Sequence, residues 1–482
     1  MTEATIIIKD ETNCKIDGLE LSDRKNLMRM FEFEKPGARY LPSVRLGRWN
    51  GKVSYFSLGG TTYVNLLDQI IPYLYDKGYD ITLDDQRQNN QSLEFDLIKE
   101  DSFADTCWPK GHLAEGKPIL LRDYQYSVVN NYLNNPQCIQ VLPTGAGKTL
   151  ITAALSRSVE KYGRSIVIVP NKSLVTQTEA DYINLGLDVG VYFGERKEWG
   201  KAHTICTWQS ILALIKNTEA ELNINDFLEN VICVICDEVH SAKADQLKSM
   251  LTGVMANIPI RWGLTGTIPK DQLDMCSLTI SIGPVISKLA AKELQDKGVL
   301  ANCNVNIVQM QDHREFSDYQ SELKYLLENE ARVNEIAKLI NKIKESGNTL
   351  VLVDRIAAGQ SLFDLIPNSV FVSGSTKGKD RKNEYDSIAA VDGKVIIATY
   401  QVAAVGINIP RIFNVVLIES GKSFVRTIQS IGRGLRVAKD KDHVVIWDIC
   451  SSSKFSKRHL TKRKEFYREV NYPFVVEKHN YL

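Results

Sequence analysis

The sequence predicts an α/β protein in which a small α+β domain precedes two consecutive parallel β-sheets. Short, almost continuously apolar runs alternate with helical patterns, and this alternation occurs twice. Strands buried on both faces read as continuous apolar runs, and strand–helix alternation favours parallel sheets with right-handed crossovers. The predicted strands are residues 138–142, 165–169, 204–206, 231–236 and 260–264 in the first set, and 349–353, 369–372, 394–399, 414–418 and 443–447 in the second.

The segments outside the two sheets have patterns of their own. At the N-terminus the sequence predicts strands and helices, then a polar linker, and later one long helix and a basic C-terminal segment. The predicted strands are residues 4–9, 53–58 and 79–83, the helices are residues 21–33 (capped by Ser22), 64–77 and 319–344, and the linker is residues 84–116. The expected domains are residues 1–95, 115–300 and 301–450, followed by a basic tail at 451–482.

The bulk composition excludes several classes of protein. The 482 residues contain no run of about 18 apolar residues, so no transmembrane helix is expected. The N-terminus lacks the basic and apolar regions of a signal peptide. Nine scattered cysteines fit a reducing compartment, and Cys233 and Cys236, three apart on one strand, face opposite sides and are expected in the core. We expect a cytoplasmic protein, in the host cytoplasm if its source is a virus. The net charge of +1 does not exclude nucleic-acid binding, because a local basic face can be balanced elsewhere.

A glycine-rich loop lies between the first predicted strand of the first sheet and a helix. Strand, glycine-rich loop and helix are the context that a phosphate-binding loop requires. Its glycines allow successive N–H groups to point at phosphate, Lys148 can reach the β- and γ-phosphates, and Thr149 can hold Mg²⁺. Leu142 stands where the full pattern has glycine, so the loop keeps only the shorter Gly-x-Gly-Lys-Thr form. The predicted ATP contacts in the loop are Pro143, Thr144, Gly145, Ala146, Gly147, Lys148 and Thr149.

Two further groups of charged residues complete a predicted ATPase site. Asp237 and Glu238 end a buried strand and form a Walker B pair: Asp237 would hold Mg²⁺ and Glu238 would polarise the attacking water. In the second sheet, Arg433 and Arg436 are spaced to point the same way from one helix. That sheet has no phosphate loop of its own, so these arginines are predicted to act as fingers on the γ-phosphate.

A basic stretch in the N-terminal domain is the first candidate for nucleic-acid contact. Residues 39–52 contain four cations and no acid, with Tyr40 and Trp49 among them. Cations attract phosphates, and aromatic faces stack on bases. The predicted contacts are Arg45, Arg48, Trp49 and Lys52. The alternative interpretation is a solvated hairpin over a core tryptophan.

The motifs together resemble those of superfamily-two helicases, in the family's order from residue 121 to 436. Residues 121–125 resemble the adenine-reading Q motif, 169–173 motif Ia, 206–209 motif Ib, 263–267 motif III, 353–355 motif IV, 398–399 with 406–408 motif V, and 429–436 motif VI. Asn408 stands where many members have Asp, and motif III is not the Ser-Ala-Thr of DEAD-box RNA enzymes. The second departure weakens an assignment to RNA remodelling. Trp49-Asn-Gly-Lys52 is similar to a turn in the N-terminal domain of phage UvsW-type helicases.

The resemblance implies two RecA-like domains, ATP with Mg²⁺ between them, and a nucleic-acid strand held by its phosphates. It adds Arg122, Gln125 and Gly406 to the ATP contacts and Gln429 to the catalytic residues. The nucleic-acid contacts it implies are Pro170, Asn171, Lys172, Thr207, Trp208, Gln209, Arg355, Ser373, Gly374 and Thr399.

The implied function is ATP-driven remodelling of branched DNA: fork regression, Holliday-junction migration and strand unwinding in recombination, repair and replication, as in RecG. The implied partners are branched and single-stranded DNA or an RNA–DNA hybrid; the protein would be monomeric and would not contact membranes. The alternatives are a helicase acting on RNA or RNA–DNA hybrids, a double-strand translocase such as a restriction motor, and an ATP-gated clamp that binds junctions without unwinding them.

Overall fold

The computed structural model describes residues 2–87, 93–109, 114–217, 222–239, 244–269, 271–300, 302–374, 392–400, 402, 411–421 and 443–481. The chain divides into two compact units. The first comprises Met1–Leu142 and Gly147–Lys288, and the second comprises Pro143–Ala146 and Leu289–Leu482. None of the described helices is both long and apolar enough to cross a membrane.

The first unit contains sixteen described strands and ten described α-helices. The strands are β1 (Thr2–Ile8), β2 (Asn13–Asp17), β3 (Glu32–Glu34), β4 (Lys52–Ser54), β5 (Thr61–Tyr63), β6 (Tyr79–Asp85), β7 (Phe103–Cys107), β8 (Pro118–Ile119), β9 (Gln137–Val141), β10 (Arg164–Val169), β11 (Val189–Phe193), β12 (Arg196–Lys197), β13 (His203–Thr207), β14 (Val231–Asp237), β15 (Ile260–Thr265) and β16 (Val285–Lys288). The helices are α1 (Leu21–Met30), α2 (Pro42–Arg45), α3 (Leu67–Asp76), α4 (Asp123–Leu133), α5 (Lys148–Val159), α6 (Lys172–Asn184), α7 (Trp208–Lys216), α8 (Ile224–Leu228), α9 (Ala244–Leu251) and α10 (Gln272–Ser281).

The N-terminal part forms the predicted α+β arrangement, a four-stranded sheet in the order β5-β2-β1-β6 with α1 and α3. The predicted helix at 21–33 ends at Met30, because Glu32–Glu34 instead pairs with β4. The prediction that Ser22 caps this helix is wrong: Glu20 is the N-cap residue, and its side chain makes no capping hydrogen bond. The predicted strand at 53–58 is shorter than expected, Lys52–Ser54.

The first predicted parallel sheet is present with eight strands, in the order β12-β11-β13-β10-β14-β15-β9-β16. Its central pairs are all parallel, and the short β12 pairs antiparallel with β11 at one edge. The carboxyl ends of parallel strands meet at one edge of a sheet, which brings together the motifs that follow β9, β10, β13, β14 and β15. Cys233 and Cys236 are buried in this sheet, and burial raises the pKa of the Cys236 thiol to about 12. Both cysteines therefore lie in the core, as predicted.

The N-terminal sheet is joined to this larger sheet by a buried interface. The Tyr55 hydroxyl lies 2.5 Å from the Ser277 hydroxyl on α10. Leu273 and Ile280 of the same helix belong to the apolar core of the N-terminal sheet. The predicted linker also packs on this unit, because Phe95 contacts the rings of Tyr162 and Trp262. The N-terminal part is consequently held by side-chain packing as well as by chain connectivity.

The second unit contains a seven-stranded sheet with the strand order β19-β20-β18-β21-β22-β17-β23, and all of its described pairs are parallel. The strands are β17 (Asn302–Met310), β18 (Thr349–Val353), β19 (Ser369–Val372), β20 (Val395–Thr399), β21 (Asn414–Ile418), β22 (His443–Ser451) and β23 (Phe474–His479). The described helices are α11 (Ala291–Asp296), α12 (Tyr319–Glu328), α13 (Glu330–Ile343), α14 (Ile356–Leu365) and α15 (Lys454–Glu469).

Two expectations for this unit are corrected by the structure. The helix predicted over 319–344 is two helices, because Asn329 has an extended backbone and its side chain caps α13 by accepting from the Arg332 N–H at 3.0 Å. The predicted basic tail at 451–482 is part of the domain: it contains α15 and β23, and β23 pairs with β17. The many cations of this segment led to its prediction as a tail, but its apolar residues, such as Leu460 and Phe466, pack into the core.

One buried ion pair fixes α15 to the second sheet. The Asp448 carboxylate on β22 accepts hydrogen bonds from Arg463 Nε at 2.8 Å and Nη2 at 2.9 Å, and from the Tyr467 hydroxyl at 3.0 Å. Arg463 and Asp448 are both almost fully buried. Removing one partner of such a pair leaves an uncompensated buried charge.

We therefore predict that Arg463→Met lowers the free energy of unfolding of the second unit by about 3–5 kcal/mol. The matched control is Lys462→Met, which removes an exposed cation from the same helix and should change stability little. Urea unfolding of both variants measures the difference. Equal unfolding midpoints would contradict the role assigned to the pair, and adding Asp448→Asn to the Arg463 variant should restore part of the lost stability.

Candidate functional site

The predicted phosphate loop connects β9 to the N-terminus of α5. Gly145 and Gly147 have φ angles of 88° and 80°, in the left-handed region that favours glycine. A Cβ on Gly147 would lie 2.4 Å from the side-chain nitrogen of Gln125. The loop is thus a tight turn whose last glycine lies against Gln125, the residue predicted to read adenine. The loop ends at the N-terminus of α5, and a helix N-terminus favours anions.

Gln125 is held in place by its own helix. It is 3% exposed, and its Oε1 accepts the Arg122 backbone N–H at 2.9 Å. Arg122 donates from Nη1 to the Tyr124 hydroxyl at 3.3 Å. The start of α4 therefore fixes the carboxamide beside the loop.

The carboxylate of Glu238 connects three of the predicted motifs. It forms an ion pair with Lys148 of the phosphate loop, and its second oxygen accepts the Gly266 N–H of motif III at 3.4 Å. The side chains of Lys148 and Glu238 are only 10% and 21% exposed. Glu238 has a φ of 52°, unusual for a residue other than glycine, and its N–H donates to Asp237 Oδ1 at 2.9 Å. The Walker B pair thus lies beside the loop lysine.

The site offers the groups that a magnesium nucleotide requires. The buried Thr144 hydroxyl has no hydrogen-bond partner among the described residues, so a polar group is available inside the loop. Lys148 and the helix N-terminus suit phosphate, and the Thr149 hydroxyl and Asp237 carboxylate supply the oxygen ligands that Mg²⁺ prefers. These residues would hold the nucleotide, whose phosphoanhydride supplies the bond to be hydrolysed.

The predicted nucleic-acid residues of the first unit follow two neighbouring strands. Pro170, Asn171 and Lys172 follow β10, and Thr207, Trp208 and Gln209 end or follow β13. Asn171 and Thr207 cap the next helices by accepting backbone N–H groups at 3.0 and 3.4 Å. Lys172 and Gln209 are exposed, whereas Trp208 packs partly into the core. A small pocket lined by Pro170, Trp208, Asp237 and Glu238 lies between these segments and the Walker B pair.

In the second unit the described candidates also lie at the carboxyl ends of strands. Arg355 follows β18 and donates from Nη2 to Gln320 Oε1 at 3.1 Å, and Gly374 is exposed. Ser373 and Thr399 are 6% exposed. Gly406, Gln429, Arg433 and Arg436 lie outside the described residues.

The basic stretch of the N-terminal domain connects the antiparallel strands β3 and β4. It contains α2, and Arg45 and Arg48 are exposed. Trp49 is half-buried and its indole N–H donates to the Lys52 carbonyl at 2.9 Å. Lys52 pairs with Glu32 at 2.8 Å, so its charge is partly compensated.

Sequence reasoning missed Arg261, a buried residue on β15. Its guanidinium donates to the carbonyls of Met255, Ile258 and Ser281 at 2.9, 3.4 and 2.8 Å and also to that of Leu251. Burial lowers its pKa to about 10, which leaves it charged at neutral pH. An arginine inside an apolar strand was the signal that could have identified it.

Comparison with known proteins agrees with this geometry. The family described as "Type III restriction enzyme, res subunit" matches residues 118–270, and the "Helicase conserved C-terminal domain" matches residues 331–438. The chain is an ATP-dependent helicase of superfamily two. The first match covers β9 to β15 with the phosphate loop and the Walker B pair, and the second covers β18 to β21.

Two relatives and one solved structure extend the comparison. The helicase is 26% identical over 490 residues to the "ATP-dependent DNA helicase uvsW" of Enterobacteria phage T4, covering 96% of this chain and 93% of the relative. It is 23% identical to the Saccharomyces cerevisiae factor IIH helicase/translocase subunit XPB/SSL2, over 81% of this chain and 48% of the relative. The structure of S. cerevisiae Dbp5 bound to RNA and ADP BeF3 is similar with a TM-score of 0.53 and 15% identity, covering 74% and 90% of the two chains. The last likeness shows the fold, a tandem pair of RecA-like domains.

We predict that Lys148→Ala and Glu238→Gln each reduce ATP turnover by about 10²-fold or more, because each removes a charged group beside the phosphates. Nucleic-acid binding should remain measurable. The control Lys161→Ala removes an exposed lysine that follows the same helix. Steady-state ATPase assays test this, and turnover within about threefold of the parent for either variant would refute the site assignment.

A second prediction uses the fit of Gly147 against Gln125. Gly147→Ala should weaken nucleotide binding, because the added methyl would displace the side-chain nitrogen of Gln125. Gly78→Ala is the matched control: Gly78 has a φ of 77°, and its Cβ would meet no atom within 4 Å. Both variants bear a similar backbone strain of about 1–2 kcal/mol. Titration with a fluorescent ATP analogue should separate them, and equal affinities would show that the contact is unimportant.

Proposed function

We propose that the helicase uses ATP with Mg²⁺ to remodel branched DNA, by regressing forks, migrating Holliday junctions and unwinding strands. The observation that carries the proposal is the fixed position of the basic N-terminal stretch in the unit that contains Lys148 and Glu238. A motor that moves along one strand needs a second grip, on the neighbouring duplex, to select a branch point. Support also comes from similarity along nearly the whole length of the T4 relative, a DNA helicase by name.

Side-chain and backbone contacts hold the N-terminal domain, the proposed second DNA contact, against the first RecA-like domain. Besides the Tyr55–Ser277 contact, the Glu11 N–H donates to the Ala256 carbonyl at 3.0 Å, and Asn13 Nδ2 donates to the Thr252 carbonyl at 2.9 Å. Lys35 pairs with Asp245 of α9 at 2.9 Å. DNA bound to Arg45 and Arg48 would therefore keep a fixed distance from the first RecA-like domain. A disordered basic arm would give affinity without this fixed geometry.

The catalytic steps follow from the groups already described. Lys148 would bind the phosphates, Asp237 and Thr149 would hold the metal ion, and Glu238 would orient the attacking water. Gln429, Arg433 and Arg436 are proposed to complete the site from motif VI, where the arginines neutralise charge on the transferring phosphoryl group. Motifs Ia, Ib, IV and V are proposed to hold one strand by its phosphates, which gives grip without sequence preference.

Two other functions remain to be separated by experiment. A helicase for RNA or RNA–DNA hybrids shares the motor but needs no duplex grip of this kind. A junction clamp that does not unwind would share the ATP site, including Glu238 beside Lys148, but would displace no strand. Assays of binding, ATPase and strand displacement on single-stranded, duplex, forked and four-way DNA and RNA distinguish the three.

We predict that Arg45→Gln, Arg48→Gln and Trp49→Ala together remove the preference for a fork over a simple tailed duplex. Each lost phosphate contact should also lower the salt dependence of fork binding, by about 0.9 log unit of affinity per log unit of salt. The triple variant is preferable to deleting residues 1–95, because deletion would expose Leu273 and Ile280.

The matched control for this variant combines Lys25→Gln, Arg29→Gln and Tyr75→Ala, which removes two exposed cations and one exposed aromatic ring from the same domain. Competition binding and strand displacement on the two DNA substrates provide the measurement. If the Arg45/Arg48/Trp49 variant prefers the fork as strongly as the parent does, the assigned role of this stretch is wrong. A stronger preference of the parent for an RNA fork would favour the RNA alternative.

A further inference from the structure

A row of cations lies along the solvent side of α15. Five of the sixteen residues of this helix are buried, namely Ser456, Leu460, Arg463, Phe466 and Tyr467. The others include six cations that we call the α15 cation row: Lys454, Lys457, Arg458, Lys462, Lys464 and Arg468. Lys464 is half-buried, and the other five are exposed. The helix thus anchors one face in the core and presents the opposite charge-rich side to solvent.

The cations of the row lack ion-pair partners among the described residues. None of its six cations forms an ion pair with a carboxylate of the described residues. Other helices of the second unit behave differently: Lys324 of α12 pairs with Glu328, and Lys338 of α13 pairs with Glu335. Like charges one helical turn apart destabilise a helix, so an uncompensated row has an energetic cost. A bound polyanion would offset that cost.

The row adjoins a residue of the proposed strand path. Arg355 of motif IV donates to Gln320, and the ring of the preceding residue, Tyr319, lies 4.9 Å from His459 and 6.4 Å from Phe455. The cations of Lys454 and Arg458 lie 5.6 and 5.9 Å from the Phe455 ring. Contacts therefore lead from Arg355 to the first turn of α15. Both α15 and Arg355 follow carboxyl ends of parallel strands in the same sheet.

We propose that the α15 cation row binds the phosphates of the DNA strand after that strand passes Arg355. This inference rests on the proposed function, because it extends the strand path assigned there. Lys454, Arg458 and Lys462 follow one another at about 6 Å along the helix axis, at about 1.5 Å per residue. A DNA strand in B-form has one phosphate about every 3.4 Å, so each cation of the row can contact one phosphate, about every second one along the strand. The contacts are to phosphates, and the row gives affinity without sequence preference.

The test compares two triple variants that remove the same charge from the second unit. The row variant is Lys457→Gln, Arg458→Gln and Lys462→Gln, and the control is Lys324→Gln, Lys338→Gln and Lys342→Gln, three exposed lysines of α12 and α13. Binding of fluorescein-labelled oligothymidine is followed by anisotropy over a series of salt concentrations. Each single-strand phosphate contact contributes about 0.7 to the slope of log affinity against log salt. The row variant should lose about 2 from this slope, and the control should keep the slope of the parent.

The possible outcomes separate this inference from the proposed function. If the row variant keeps the slope of the parent, the proposed phosphate binding by the row is wrong. The same holds if both variants lose the slope equally, because that loss would reflect net charge alone. In both cases fork preference through Arg45 and Arg48 can still hold. A parent that does not bind oligothymidine overturns the proposed function itself. If the row variant melts at a lower temperature than the control, Lys457→Gln alone is used, with an expected loss of about 0.7.

Discussion

The ion pair between Lys148 and Glu238 is the interaction on which the candidate ATPase site at the edge of the first sheet depends. Glu238 has a backbone conformation that costs a non-glycine residue about 1–3 kcal/mol. Its carboxylate is held by the loop lysine and by the Gly266 N–H, so three strand ends, those of β9, β14 and β15, meet at one side chain. Nucleotide phosphates would compete with Glu238 for Lys148. The ion pair thus keeps the Lys148 ammonium and the Glu238 carboxylate together until a bound nucleotide separates them.

A second constraint connects this edge to the N-terminal domain. Arg261 lies on β15, four residues before Thr265, and its guanidinium holds carbonyls at the end of α9 and the end of α10. Those two helices are also the ones that the N-terminal domain contacts, through Lys35 and Tyr55. The buried cation therefore stabilises the two helices on which the N-terminal domain is fixed. Replacing it with an apolar residue would remove its hydrogen bonds to four carbonyls.

The motifs and the two parallel sheets could be predicted because each depends on local spacing. A buried strand has to be apolar throughout, and a phosphate loop needs glycine at fixed positions, so both leave a signal in a few consecutive residues. The errors occurred where a contact distant in sequence decided the structure. The break at Asn329 depends on a cap, and the assignment of 451–482 to the domain depends on Asp448 accepting from Arg463. A basic sequence alone could not show which arginine was buried.

The charge distribution also could not be predicted from the sequence, because it depends on which charges form ion pairs. The net charge of the protein is +1, close to zero, yet its cations are unevenly paired with carboxylates. Arg196 is held by Glu179 and Glu198, and Lys52 by Glu32, whereas no carboxylate of the described residues pairs with Arg45 or Arg48. Positive charge without ion-pair partners among the described residues therefore lies in two separate regions of the sequence. One is the stretch that contains Arg45 and Arg48, and the other is the solvent side of α15. Because the potential felt by a polyanion depends on where cations lack acidic neighbours, the positions of the ion pairs indicate candidate binding surfaces better than the net charge does.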